Sequence, residues 1–156
     1  MIDLSIPGHD DLHLEHLVLD YNGTLAIDGH LINGVKAVLD RLKDSIHIHV
    51  LTADTFGKAK DGLKGIDCIL SILPSGRQDV GKLEFVQNLG SGLTAAIGNG
   101  RNDCLMLAEA ALGIAVVQKE GAAVETIRSA DLICTDIVSA LELLCHPLRL
   151  AATLRS

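Results

Sequence analysis

Six short runs of aliphatic and β-branched residues, at 16–20, 46–51, 66–72, 93–97, 112–117 and 131–134, recur along the whole chain, each bounded by Gly, Asp or Pro. Between them, 34–43, 57–63, 79–89, 102–110 and 121–129 carry helical spacing or helix-forming composition, and 137–154 is a longer helical segment interrupted at Pro147. A strand that leads into a helix before the next strand returns to the sheet by a crossover, so this alternation predicts a central parallel sheet with helices on both faces. The fold class expected is a three-layer, Rossmann-like α/β domain. Open sheets of this kind bind ligands at the carboxyl ends of their strands. Chemistry is therefore sought at Asp20, at Thr52 and in the Gly98-Asn99-Gly100 turn, the polar residues that close three of the apolar runs.

The first fifteen residues stand outside the pattern. Ile2, Leu4 and Ile6 alternate ahead of Pro7-Gly8, which predicts an edge strand and a turn leading back into the Asp20 strand as an N-terminal hairpin. No internal repeat, low-complexity tract or linker interrupts the rest. With 156 residues, 48% of them hydrophobic, and only three prolines, residues 1–156 are expected to form one domain. Aromatic residues make up only 2%, so the core is packed from Leu, Ile, Val and Ala and offers no base-stacking platform.

The formal charge of -7 and the lack of a Lys/Arg cluster argue against a nucleic acid partner, because phosphate contacts need concentrated basic residues. No apolar run approaches the ~20 residues that cross a bilayer, and Met1-Ile2-Asp3-Leu4 lacks a basic segment followed by a long apolar core. A cytoplasmic protein with no membrane partner is expected. Cys68, Cys104, Cys134 and Cys145 are widely separated, with no C-x-x-C pair, and read as reduced thiols.

Four segments bring polar groups to the expected sheet edge in a fixed order. They are Asp20 in D-Y-N-G-T-L, Thr52 in L-T-A-D-T, Lys82 in D-V-G-K-L, and Asn99 with Asp103 in G-N-G-R-N-D. An aspartate can attack phosphorus and carry an acyl phosphate, dividing one hard displacement into two. The Thr52 hydroxyl and backbone N–H groups such as those of Ala53 and Gly23 can hold phosphoryl oxygens, and a lysine ammonium offsets the charge of nucleophile and phosphate. Oxygens of Asp20, Asn22, Asn99 and Asp103 can surround Mg²⁺, a hard cation that prefers oxygen ligands.

In this order the segments resemble the haloacid dehalogenase (HAD) superfamily and, within it, the soluble relatives of the phosphorylation domain of P-type ATPases. The resemblance runs from Asp20 to the helix after Asp131, and V-L-T-A-D-T-F-G-K-A and G-N-G-R-N-D-C-L-M-L-A-E-A-A-L-G-I-A-V are its most specific pieces beside D-Y-N-G-T-L. It implies that Asp20 is the nucleophile, Thr52 the phosphate-binding hydroxyl and Lys82 the phosphate-binding lysine. It also implies that Asp20, the Asn22 carbonyl, Asn99 and Asp103 form the magnesium site and its support. The activity implied is that of a magnesium-dependent phosphohydrolase or phosphotransferase working through an aspartyl phosphate on a phosphorylated substrate.

Two departures from the superfamily pattern shape the expected chemistry. Phosphatases of this superfamily carry an aspartate two residues after the nucleophile, which protonates the leaving alkoxide and then activates water. Asn22 has no proton of suitable acidity, and loss of a general acid or base costs on the order of 10²–10⁴ in rate. Slow turnover of ordinary phosphomonoesters follows, with acyl phosphates and p-nitrophenyl phosphate the better substrates. The P-type ATPases have threonine at this position and a long-lived aspartyl phosphate. Asn99 replaces a carboxylate ligand with a neutral oxygen and lowers the charge offered to magnesium. The alternative reading is a phospholigand- or metal-binding regulatory module that keeps the pocket without turnover.

The segments from Thr24 to Gly34 and from Thr52 to Lys82 are too short for a cap domain. An open site is expected, closed over by a macromolecular substrate or by a homo-oligomer, and Ile137–Leu154 reads as a core-packing terminal helix that could also offer a dimer contact. Asp20 as a strand-end cap and Lys58, Lys60 or Lys64 in place of Lys82 are the alternatives, and Asp54 reads as a cap of the following helix rather than a substrate contact. His47 and His49 on one strand face, with His13 and His16 nearby, lack a completing carboxylate or cysteine at a recognised spacing and read as structural rather than as a zinc site. A two-component receiver domain also uses Asp, Thr and Lys on a parallel sheet, but its phosphoacceptor follows an N-terminal acidic pair, which chain order here disfavours.

Overall fold

The computed structural model describes residues 1–54 and 57–156. In chain order the strands are β1 (Ile2–Leu4), β2 (Leu12–Leu14), β3 (His16–Asp20), β4 (Ala26–Ile27), β5 (His30–Leu31), β6 (His47–Thr52), β7 (Ile69–Ile72), β8 (Thr94–Gly98), β9 (Leu112–Val116) and β10 (Leu132–Cys134). The helices are α1 (Val35–Leu42), α2 (Lys58–Gly62), α3 (Gln78–Leu89), α4 (Cys104–Glu109), α5 (Val124–Ser129), α6 (Ile137–Cys145) and α7 (Pro147–Leu154). A 3-10 turn at Arg101–Asp103 leads into α4. The Thr55-Phe56 portion of the L-T-A-D-T-F-G segment lies outside the described residues.

Among the described residues six parallel strands form the main sheet in the order β10-β9-β8-β3-β6-β7. The chain builds outward from β3 through β6 to β7, then α3 carries it back across the sheet to β8 on the other side of β3. The order therefore reverses between β3 and β8, and a crevice opens there at the carboxyl ends of the two strands. Asp20 ends β3 and Asn99 follows β8, so both stand at this point.

Strand alternation decides which side chains reach which layer. Leu17 and Leu19 of β3 face one way, into a core with Val35, Val38, Leu39 and Leu42 of α1 and Ile137, Ala140, Leu141 and Leu144 of α6. The i, i+3, i+4, i+7 spacing of the α1 residues makes that stripe continuous. Val18 faces the other way, against Val86 of α3 and Met106 and Leu107 of α4. Asp20 shares the parity of Val18, which directs its carboxylate toward the α3–α4 layer, from which a cation and a second carboxylate arrive.

The N-terminal hairpin differs from its expected pairing. β1 pairs antiparallel with β2, Ile2 opposite Leu14, in a separate two-stranded sheet, and does not pair with the Asp20 strand. The Pro7-Gly8 turn is followed by enough apolar residues in Leu12–Leu14 to form a partner strand before β3 begins. This sheet lies where the main strands start, because Glu15 donates to the Leu93 carbonyl and accepts from His47 N–H. α7 packs on β1 and Ser156 N–H donates to the Pro7 carbonyl, which ties the two ends of the chain together. The expected helix at 137–154 is two helices bent by 104° at His146, with Pro147 opening the second. Its first half starts at Asp136, whose carboxylate accepts from Ser139 N–H at 2.7 Å.

Between Thr24 and Gly34 the chain forms only the small β4–β5 hairpin. No single helix among the described residues is long and apolar enough to cross a membrane. Cys68, Cys104, Cys134 and Cys145 are free and partly buried.

Candidate active site

Lys82 occupies the second turn of α3 and is 1% exposed, an uncommon environment for an ammonium. Its Nζ donates to Asp20 Oδ1 at 2.7 Å and to Asp103 Oδ1 at 2.6 Å. Asp103 is itself fully buried, and its Oδ2 accepts from the backbone N–H groups of Asn99 at 3.0 Å and Gly100 at 2.8 Å. This close return of the carboxylate onto the strand end requires glycine at 98, where a Cβ would lie 2.5 Å from the Asp103 carboxylate. One cation thus compensates two buried acids, so removal of the lysine would leave both carboxylates buried without a counter-charge.

The second oxygen of Asp20 meets Thr24, whose Oγ1 lies 3.0 Å from Asp20 Oδ2 and 3.2 Å from Asn99 Oδ1. Three oxygens from the Asp20 loop and the Asn99 turn therefore converge on one side of the nucleophile. Gly23 permits this approach. It sits at φ 81°, and a Cβ there would fall 2.4 Å from Asn99 Nδ2. Burial, then the Asp103 carboxylate, push the Asp20 carboxyl up to about 6, against the pull of Lys82 and Thr24. Lys82 is disfavoured by burial, yet the paired carboxylates raise its pKa on balance, so it stays charged.

Thr52 closes β6, one step past the residue that pairs with Asp20, and is 2% exposed. Its hydroxyl oxygen accepts from Asp54 N–H at 3.1 Å, which leaves the hydroxyl proton to donate. Asp54 Oδ2 accepts from Ala59 N–H at 2.7 Å and so satisfies a donor in the first turn of α2, although the N-cap position itself is Gly57. Asn22 is exposed and, with Ala53, Asp54, Lys58, Asp28 and Glu120, lines an open cavity of about 500 Å³ at the mouth of the site.

The structure thus brings Asp20, Thr24, Lys82, Asn99 and Asp103 into one hydrogen-bonded cluster, with Thr52 and Ala53 beside it. Lys82 holds the place for which Lys58, Lys60 and Lys64 were rivals, and of these Lys58 lines the mouth. Two of the expected residues have partners within the protein. The Gly23 N–H, read as a phosphoryl donor, is committed to the Ala26 carbonyl at 2.7 Å. Asp103, expected in the metal site and its support, has Oδ1 accepting from Lys82 and Oδ2 from the Asn99 and Gly100 N–H groups. Thr24 and Gln118 were not singled out in the sequence. D-Y-N-G-T-L contained the first, but nothing in local spacing marks the second.

No protein-family model matches this chain. Among curated proteins it is 43% identical over 84 residues to the uncharacterized protein MJ0073 of Methanocaldococcus jannaschii, covering 51% of this chain and 90% of that protein. The chain belongs to the same family as MJ0073. Among solved structures it is similar to 3-deoxy-D-manno-octulosonate 8-phosphate phosphatase from Moraxella catarrhalis, in complex with magnesium, phosphate and the sugar acid. That match has a TM-score of 0.69 and 19% identity, and covers 90% of this chain and 94% of that one. It is also similar to the cobalt-bound phosphatase of the same type from Haemophilus influenzae, with a TM-score of 0.71 and 11% identity over 92% and 94% of the two chains. At these identities the likeness establishes the fold alone, which is shared with a putative HAD family hydrolase from Streptomyces avermitilis at a TM-score of 0.69 and 16% identity over 91% and 86% of the two chains.

Proposed function

We propose that this protein is a HAD-type phosphohydrolase or phosphotransferase in which Asp20 accepts the phosphoryl group. The observation that carries the reading is the buried Lys82 bridge between Asp20 and Asp103 at the point where the strand order reverses. Lys82 keeps the Asp20 carboxylate charged in a buried setting and fixes one of its oxygens, so the nucleophile meets phosphorus in a held orientation. The Thr52 hydroxyl and the backbone around Ala53 face the oxygens of the incoming phosphoryl group. The order of the D-Y-N-G-T-L, L-T-A-D and G-N-G-R-N-D segments further supports kinship with the phosphorylation domain of P-type ATPases.

The donors near Asp20 suit a hard cation. Asp20 Oδ2 and Asn99 Oδ1 both lie within 3.2 Å of Thr24 Oγ1, and no nitrogen or sulfur ligand stands among them. Among the described residues no three His, Cys, Asp or Glu side chains gather as a metal set, so the protein offers Asp20 with neutral oxygens from Asn99 and the Asn22 carbonyl. Such a set fits Mg²⁺ held jointly with phosphate and water. Bound there, the ion supplies charge neutralisation between the carboxylate and the phosphoryl oxygens.

Asn22 supports slow hydrolysis of ordinary esters, since nothing at that position can protonate an alkoxide. It also favours the second reading, a regulatory module that binds phosphoryl ligands without turnover. Incubation with acetyl phosphate or p-nitrophenyl phosphate and Mg²⁺ separates the two. The enzyme reading expects hydrolysis that Asp20→Asn abolishes. Hydrolysis undiminished in Asp20→Asn, or no turnover together with no beryllium fluoride adduct, overturns it.

A further inference from the structure

Gln118 follows β9 and is half-buried behind the nucleophile loop. Its Nε2 donates to the carbonyls of Gly23 at 3.0 Å and Thr24 at 2.9 Å, and its Oε1 accepts from Ile137 N–H, the first residue of α6, at 2.9 Å. Two acceptors on one side and a donor on the other allow a single orientation of the carboxamide, with both N–H bonds used. The loop it gathers is already tied on its inner side, where the N–H groups of Thr24, Leu25 and Ala26 all point at the Tyr21 carbonyl. The 21–26 turn is thus held through its N–H groups from within and through two of its carbonyls by Gln118.

The rest of the 118–123 loop makes matching contacts. Glu120 Oε1 accepts from Asp28 N–H at 3.0 Å, Asn99 Nδ2 donates to the Gly121 carbonyl at 3.0 Å, and Ala123 N–H donates to the Asn99 carbonyl at 2.9 Å. This loop therefore ties together the two turns whose side chains meet at Thr24 Oγ1. We propose that Gln118 is a positioning residue for the nucleophile: by holding the Gly23 and Thr24 carbonyls it places the Thr24 hydroxyl, which in turn fixes Asp20 Oδ2 while Lys82 fixes Oδ1. The proposal rests on the reading of Asp20 as phosphoryl acceptor. Gln118 touches no reacting atom and acts through Thr24.

Gln118→Glu keeps the shape and replaces two donors with acceptors that repel the carbonyls, and Gln118→Leu removes all three bonds. With acetyl phosphate and Mg²⁺, both variants are expected to lower kcat by about 10–100-fold with KM within about twofold of the parent, as a misplacement of about 1 Å requires. Amide hydrogen exchange, read without substrate or metal, is expected to quicken at Thr24, Leu25 and Ala26 and to stay unchanged along His47–Thr52. A general loosening that speeds both regions alike assigns Gln118 a merely structural role and overturns the proposal. So does exchange at 24–26 that matches the parent, or an active parent whose kcat both variants retain. If the parent itself neither turns over nor forms a beryllium fluoride adduct, the phosphoryl reading falls, and the exchange comparison decides the clamp by itself.

Discussion

Lys82 is the residue on which the site's electrostatics turn. Lys82→Met leaves Asp20 and Asp103 buried beside each other without a cation, and removal of one partner from a buried ion pair costs about 3–5 kcal/mol. The loss is read as a lowered denaturant midpoint, and adding Asp20→Asn to Lys82→Met is expected to recover part of it, because one buried charge then disappears. Asn22 makes the complementary case for rate. Asn22→Asp restores a proton donor at the exposed mouth, and kcat on an alkyl phosphate is expected to rise by about 10²–10⁴-fold. The gain on p-nitrophenyl phosphate is expected to be smaller, since that leaving group departs without a proton, and equal gains on the two substrates count against a general-acid role at position 22. Asp20, Thr52, Lys82 and Asp103 are legible in the sequence because phosphoryl chemistry demands those side chains at strand ends and an early helical turn. Gln118 is not, because its partners are backbone carbonyls ninety-odd residues away and any carboxamide looks alike in a sequence.

At the scale of elements, the alternation of apolar runs locates all six strands of the main sheet, with their ends shifted by up to three residues. What it misses is local and short. β2 is three residues and β4 and β5 are two each, lengths at which periodicity carries little signal. The start of the sheet carries a second titrating feature. His16 Nδ1 lies 3.2 Å from His49 Nε2 across β3 and β6, while His49 Nδ1 is buried without a hydrogen-bond partner among the described residues and its ring meets Phe85 of α3 edge-on. Burial, then His16 and His47, push His49 down to about 4 from its ordinary 6.5, and burial and His47 also lower His16. The histidines therefore bind more protons in the unfolded chain between these values, and their contribution to stability falls as pH drops from about 6.5 to about 4, opposed by Asp20, whose raised carboxyl takes up its proton first in the folded state. In urea melts across that window His49→Leu is expected to lose less stability toward low pH than the parent does, because the histidine contribution is gone and that of Asp20 remains. An unchanged slope in His49→Leu assigns the acid sensitivity elsewhere.

At the scale of the whole molecule, two cores on opposite faces of one sheet leave its carboxyl edge as the place where polar groups are gathered. That edge reads from the sequence because three of the apolar runs close on Asp20, Thr52 and the Gly98-Asn99-Gly100 turn, whereas the return of the chain from β7 to β8, which opens the crevice beside β3, is set by the strand order of the fold. The mouth of the site is open and lined by Asn22, Ala53, Asp54, Lys58 and Glu120. The central claim concerns covalent chemistry at one atom and is tested most directly by mass. After incubation with acetyl phosphate and Mg²⁺ and rapid acid quenching, the intact protein is predicted to gain one phosphoryl group that maps to the peptide containing Asp20 and is absent from Asp20→Asn. No gain in mass, or a phosphoryl group that maps to another residue and persists in Asp20→Asn, contradicts the account.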